Sequence, residues 1–152
     1  MRGVYTTSIK ISALAAAKTL AYLTAPADKV VEILSASVTD ASNETNEQLE
    51  CALQRITTLG TPTGTTLTFA KHEAGDQAAG TTGKGNITAS EPTYTADTEL
   101  GREGHSTLGG WYFNPIPEER PTLGGQLSMG LRMLATPAAF DAIAKITFRE
   151  IG

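Results

Sequence analysis

The chain contains little of the residue types that build disulfide, zinc or other metal centres. It has 152 residues with a single cysteine and two histidines, His72 and His105. One cysteine excludes a disulfide within the chain. Cys51 alternates with the apolar Leu49 and Leu53, so we expect a buried hydrophobic residue there. A zinc site needs three or four ligands at suitable spacing, so the sequence predicts no bound metal or cofactor.

A surplus of positive charge and a long apolar run are also missing. The chain has 12 Lys and Arg against 16 Asp and Glu, a net charge of −4, and its basic residues are dispersed singly. Nucleic-acid binding proteins normally carry a basic patch, so we expect no nucleic-acid partner. The apolar run at residues 13–17 is far too short to span a bilayer, and the N-terminus lacks a signal-peptide pattern. We therefore expect synthesis in the cytoplasm and no membrane partner.

Each partial match to a catalytic motif in the sequence lacks a residue that the motif requires. Gly83-Lys84 resembles the end of a phosphate-binding loop, but Ala78 replaces its first glycine and Gly85 replaces its hydroxyl residue. Glu118 and Glu119 are adjacent, so on a strand they would face opposite sides. No nucleophile elbow occurs. The sequence therefore predicts a protein that is not an enzyme and has no catalytic residues, and a cupin-like enzyme, which would need clustered histidines, ranks last.

Strand patterns are what the sequence does contain. Apolar residues alternate with small or polar ones at 127–133, and similar patterns occur at 30–39, 48–56 and 142–151. With Gly, Thr and Pro between them, these patterns predict an all-β, single-domain, jelly-roll-like sandwich of about eight antiparallel strands with long loops over residues 1–152. Residues 1–11 are expected to form an N-terminal arm or an edge strand. Residues 12–23 fit either a helix or a strand, and a strand over Lys18–Thr24 is favoured.

Two further features concern surfaces. Residues 30–39 have apolar side chains on both faces, which predicts an inner strand covered on each side and supports an oligomer. Trp111 and Phe113 share a face; they fit a core anchor better than an interface between identical subunits. The glycine-rich residues 80–85 are expected to form a flexible loop. The candidate interface, with an identical subunit or with another protein, is then Trp111, Phe113, Tyr94, Tyr5 and Lys84.

The order of several short segments resembles a known group of proteins. The segments are residues 47–55, 60–65, 75–79, 91–93, 109–111 and 146–151. This order resembles small jelly-roll structural proteins of tailed bacteriophages, in particular the capsid decoration (cement) proteins. The resemblance implies a homotrimer on the capsid surface of the virion, whose partners are itself and the major capsid protein. Its role would be to stabilise the shell, with avidity among three equivalent sites.

A second function class fits the same fold. A receptor- or carbohydrate-binding jelly-roll module of a phage tail or fibre would also lack catalytic residues. Such a module should expose Trp111, Tyr112 or Tyr94 in a groove. Glycan-array binding that vanishes when they are substituted would separate this function from the first.

Overall fold

A computed structural model describes residues 3–42 and 46–152, and these residues form an all-β structure. One 3₁₀ turn, Pro117–Glu119, is the sole helical element in those ranges. The strands are β1 (Val4–Leu14), β2 (Lys18–Thr24), β3 (Val30–Asp40), β4 (Gln48–Thr58), β5 (Thr63–Thr66), β6 (Ala70–Lys71), β7 (Thr82–Ala89), β8 (Thr93–Tyr94), β9 (Leu100–Ser106), β10 (Trp111–Phe113), β11 (Thr122–Leu123), β12 (Ser128–Met133) and β13 (Phe140–Ile151). Eight of these have six or more residues, in agreement with the predicted number of strands.

Two antiparallel sheets pack face to face as a β-sandwich. The first has the order β10-β3-β13-β1-β6, with β11 also paired to β3. The second has the order β5-β7-β2-β12-β4-β8, with β9 also paired to β4. The chain changes sheet after β1, β2, β3, β5, β6, β9, β11 and β12, so both layers contribute to one hydrophobic core.

The last strand shows why this sequence forms a sandwich. Along β13 the side chains of Phe140, Ala142, Ala144, Ile146 and Phe148 are buried, and those between them are more exposed. This period of two directs one face into the core, as the sequence predicts. Complete burial of each large side chain contributes about 1.5–3 kcal/mol.

The prediction that β3 is covered on both faces is wrong, because the strand contains a β-bulge. Its pairing with β13 passes from Ser35–Thr147 to Ile33–Phe148, so Leu34 is an additional residue. The extra residue reverses the alternation. Val31 and Ile33 before it, and Ala36 and Val38 after it, therefore all enter the same core. The apolar residues of β3 are therefore explained by the core of one subunit and do not indicate an oligomer.

Residues 12–23, which fit either a helix or a strand in the sequence, contain no helix in the structure. β1 pairs along its length with β13, and only Tyr5 and Thr6 pair with β6 on its other side. Residues 1 and 2 of the predicted arm or edge strand lie outside the described residues. β2 has the predicted bounds, Lys18–Thr24. Residues 12–23 are thus the end of β1, a turn and β2.

The predicted flexible loop at residues 80–85 is a further correction. Residues 82–85 belong to β7 and pair with β2. The glycines here permit close packing: a Cβ on Gly83 would lie 2.2 Å from the Tyr22 carbonyl oxygen, and one on Gly85 would lie 2.8 Å from Ile9 Cδ1. Glycine in a strand often marks such a close approach.

Candidate binding surface

A groove of about 630 Å³ runs beside β10 at one edge of the sandwich. It is lined by residues from β9, β10 and the segment after β10, namely Leu100, Gly101, Glu103, Tyr112, Phe113, Asn114, Pro115 and Glu119. Tyr112 leaves 57% of its surface exposed and Leu100 leaves 36%. The turns on either side of β10 also expose Leu108 and Ile116. This concentration of exposed apolar side chains is typical of a binding surface.

The floor of the groove is rigid. Trp111 and Phe113 stack with their ring centroids 6.2 Å apart and their planes at 8°, and Trp111 is 1% exposed. The Trp111 indole N–H donates to the Gly101 carbonyl oxygen at 2.9 Å. Gly101 has a φ of +60°, and a Cβ there would lie 2.3 Å from Phe113 Cδ2. Both the backbone conformation and the space therefore favour glycine at this position.

The lining of the groove is negatively charged. Besides its apolar and aromatic side chains it includes two carboxylates, Glu103 and Glu119. Protein interfaces commonly combine apolar and polar side chains in this way. The carboxylates favour a partner that presents basic side chains.

The five predicted interface residues do not come together. Phe113 lines the groove, whereas Trp111 does not line it but is buried and stacks on Phe113, in agreement with the favoured core interpretation. Tyr5 is 3% exposed and packs on Phe148, with ring centroids 5.5 Å apart. Lys84 lies on β7 and donates to the Pro62 carbonyl oxygen at 2.8 Å.

The fifth residue, Tyr94, lies in the second sheet and is half-buried. The interface prediction did not include Tyr112, the most exposed aromatic residue of the groove. A signal for it was present, because the residue between two inward-facing aromatics on a strand must face outward.

The groups with possible catalytic or metal chemistry are dispersed. His72 is exposed and its Nε2 lies 2.7 Å from Thr6 Oγ1, whereas His105 is half-buried on β9 and burial lowers its pKa. Cys51 is fully buried, as predicted, and burial raises its pKa to about 12. Within residues 3–42 and 46–152 there is no group of three or more His, Cys, Asp or Glu side chains that could hold a metal ion.

A polar cleft of about 480 Å³ lies at the opposite part of the first sheet, around Glu150. The Glu150 carboxylate accepts hydrogen bonds from the N–H and hydroxyl of Thr81, both at 2.7 Å, and from Lys29 Nζ at 2.9 Å. Burial raises the pKa of Glu150, but these hydrogen bonds and the Lys29 charge outweigh it and the pKa is lowered. The carboxylate thus holds Thr81, the residue before β7, in place, which is a structural role.

Comparison with protein-family models, curated proteins and solved structures finds no match to this chain. Among the described residues, no helix is sufficiently long and apolar to cross a membrane.

Proposed function

We propose that this chain is a non-enzymatic virion structural protein that binds the outer shell of a tailed-phage capsid as a homo-oligomer and stabilises it. The observation that carries the proposal is the exposed groove around Tyr112 with its rigid aromatic floor. A decoration protein needs such a preformed surface, because a rigid site loses little conformational entropy on binding.

The order of the strands supports the jelly-roll part of the proposal. β8 and β9 both pair with β4, and β10 and β11 both pair with β3, so each of these two pairs takes one position in its sheet. Without β5, β6 and β7, which extend the sheet edges, the sheets read sixth-third-eighth-first and second-seventh-fourth-fifth. This reduced order is consistent with an eight-stranded jelly roll, a fold used by viral capsid proteins and by lectins.

The groove would act as the shell contact. Tyr112 would insert into a pocket of the major capsid protein while Leu100 and Pro115 exclude water around it. The Glu103 and Glu119 carboxylates would meet basic side chains, so that binding weakens as salt concentration rises. Three subunits attached together would bind through avidity and tolerate a weak single contact.

Sedimentation with shells tests this proposal. Expanded shells assembled from the major capsid protein of the same genome, without this protein, are mixed with the wild-type chain, with Tyr112→Ser or with Leu127→Ser. Leu127 is the control because it is 55% exposed but lies outside the groove. We expect saturable binding that Tyr112→Ser weakens roughly 30-fold per site, corresponding to about 2 kcal/mol for an interface hot spot.

Leu127→Ser should bind as the wild type does. A folded wild-type protein that does not cosediment with shells would overturn the proposal. A strictly monomeric protein in size-exclusion chromatography with light scattering would overturn its homo-oligomeric part.

One observation favours carbohydrate binding as a second candidate function. Tyr112 is the exposed aromatic of the groove, and Asn114, Glu103 and Glu119 place hydrogen-bonding groups beside it. Sugar rings stack on such an aromatic face while their hydroxyls bind amide and carboxylate groups. Glycan-array binding that disappears in Tyr112→Ser, together with no affinity for shells, would establish this function instead.

A further inference from the structure

A second cleft, on the other side of β9, contains an arginine without a carboxylate partner. Arg132 of β12 takes no part in the ion pairs formed among residues 3–42 and 46–152. Its guanidinium carbon lies 4.0 Å from the centroid of the Tyr94 ring, and its Nη1 donates to Gln54 Oε1. Its Nε is buried without a hydrogen-bond partner. A guanidinium has five N–H donors, so most of this group's hydrogen-bonding capacity is unused.

The surroundings hold this arginine in one position. The Tyr94 hydroxyl is hydrogen-bonded to Thr19 Oγ1 at 2.7 Å, and the ring lies over Gly130, where a Cβ would be 2.2 Å from the hydroxyl oxygen. Gln54 is fully buried, and its amide nitrogen donates to the Thr95 carbonyl oxygen. Fixed neighbours of this kind preorganise a binding group.

The cleft beside this cluster has about 410 Å³ of space. Its charged lining consists of Arg132, Arg102 and Glu99. Arg102 contacts Glu50 at 3.0 Å and Glu99 at 3.9 Å. Glu50 and Glu99 together offset the charge of Arg102, whereas the ion pairs among residues 3–42 and 46–152 do not include Arg132. Arg132 is therefore the cation of this cleft that is available to an anion.

A carboxylate is the group that this site fits best. The planar guanidinium fork of arginine matches a planar carboxylate and forms charge-assisted hydrogen bonds with it. Glu99 repels any anion in the cleft and Arg132 attracts it, so the planar shape of the carboxylate, not charge alone, is what favours it over a phosphate. Leu134 and the Tyr94 ring offer apolar contact to the carbon atoms of a ligand.

We propose that the cleft between Tyr94 and Arg102 binds a carboxylate-bearing ligand, with Arg132 as the anchoring donor. The carboxylate could belong to an acidic side chain of a protein partner or to a sugar acid. This inference is independent of the Tyr112 groove, because the two clefts are lined by different side chains on either side of β9.

The test is an NMR titration of the purified full-length chain, without shells, that follows the Nε–H resonance of Arg132. The probes are N-acetylglutamate α-amide for an acidic side chain, glucuronate for a sugar acid, and inorganic phosphate for a different anion. We expect saturation by at least one carboxylate with a dissociation constant on the order of 1 mM. The tighter of the two carboxylate probes identifies the source.

Arg55 provides the matched control, because it is exposed and donates to the Thr122 carbonyl oxygen, away from the cleft. Arg132→Gln should weaken carboxylate binding at least tenfold, Arg132→Lys should restore part of it, and Arg55→Gln should leave it unchanged. The proposal is overturned if neither carboxylate saturates the Arg132 resonance, or if phosphate binds more tightly than both. The wild-type titration decides this even if Arg132→Gln does not fold, and a failure leaves shell binding through Tyr112 unaffected.

Discussion

Replacing Gly130 with alanine tests whether the Tyr94 ring is held against the second sheet. A Cβ at this position would lie 2.2 Å from the Tyr94 hydroxyl oxygen, a distance that real Cβ atoms essentially never show. The ring must therefore move by about 1 Å, which takes its 2.7 Å hydrogen bond to Thr19 beyond the normal limit. The same movement disturbs the stacking of Arg132 on the ring.

The change in the free energy of unfolding caused by Gly130→Ala is the sum of one stabilising and several destabilising effects. Glycine within a strand is less favourable than alanine by about 0.5–1 kcal/mol, so without a clash the substitution would stabilise the protein. Loss of the Tyr94–Thr19 hydrogen bond costs about 1 kcal/mol, and loss of the cation–π contact costs about 0.5–1 kcal/mol. The hydroxyl of Thr19, which is fully buried, then lacks its partner, at about 1 kcal/mol or more. We expect Gly130→Ala to lower the free energy of unfolding by about 1.5–2.5 kcal/mol.

Urea denaturation followed by the fluorescence of Trp111, the only tryptophan of the chain, measures this change. Tyr94→Phe removes the oxygen atom, and the nearest remaining ring atom is Cζ at 3.0 Å. In that background Gly130→Ala should cost less than about 0.5 kcal/mol. Gly75→Ala is the control, since a Cβ there meets nothing within 4 Å. An equal cost in both backgrounds, or a stabilising Gly130→Ala, would refute the reasoning.

Two other predictions concern buried titratable groups. Because hydrogen bonds lower the pKa of Glu150 below its ordinary value of 4.5, its stabilising contribution is complete above that pH and is lost as the pH falls through the lower folded pKa. Glu150→Gln should cost about 2 kcal/mol at neutral pH and flatten the acid limb of a stability-versus-pH curve, and an unchanged limb would contradict this role. Burial and the raised pKa of Cys51 predict no reaction of the native protein with a thiol reagent at about pH 8, and rapid labelling after unfolding in guanidinium chloride. Labelling of the native protein as fast as of the unfolded chain would show that the thiol is accessible.

The sequence predicts the sandwich because its longest strands carry the pattern of a half-buried sheet. In β13 the alternation of apolar residues is regular, and the structure buries the face that it indicates. In β4 it buries Leu49, Cys51 and Leu53 as indicated, but it also buries Gln54, which the alternation places on the outer face. β3 shows the limit of this reasoning. An apolar residue on each face can mean two covered faces or one bulge, and only the pairing partner distinguishes them.

Edge strands and the glycines within strands are also hard to predict from sequence, because they depend on contacts with other strands. β9 exposes most of its side chains and is held by backbone pairing with β4, so its sequence has no apolar alternation to detect. The glycines at 83 and 85 resemble a flexible loop in the sequence, yet they permit contacts with Tyr22 and Ile9 from other strands. Such contacts depend on the folded arrangement.

The candidate site was only partly predictable. The aromatic pair at Trp111 and Phe113 is recognisable from sequence, but the pattern could not tell a groove floor from an interface. Tyr112, between them, gains its significance from the exposed groove that β9 and Pro115 complete. The Arg132 cleft was missed because it joins β4, β9, β12 and the segment around Tyr94, which are distant in sequence.

The most direct test of the central proposal is a cryo-EM reconstruction of shells with and without the purified protein. We expect added density on the outer surface, organised as a homo-oligomer, with the groove around Tyr112 against the major capsid protein. Shells that gain no density in the presence of the folded protein, or density that contacts the shell through the Glu150 end while the groove faces solvent, would contradict it.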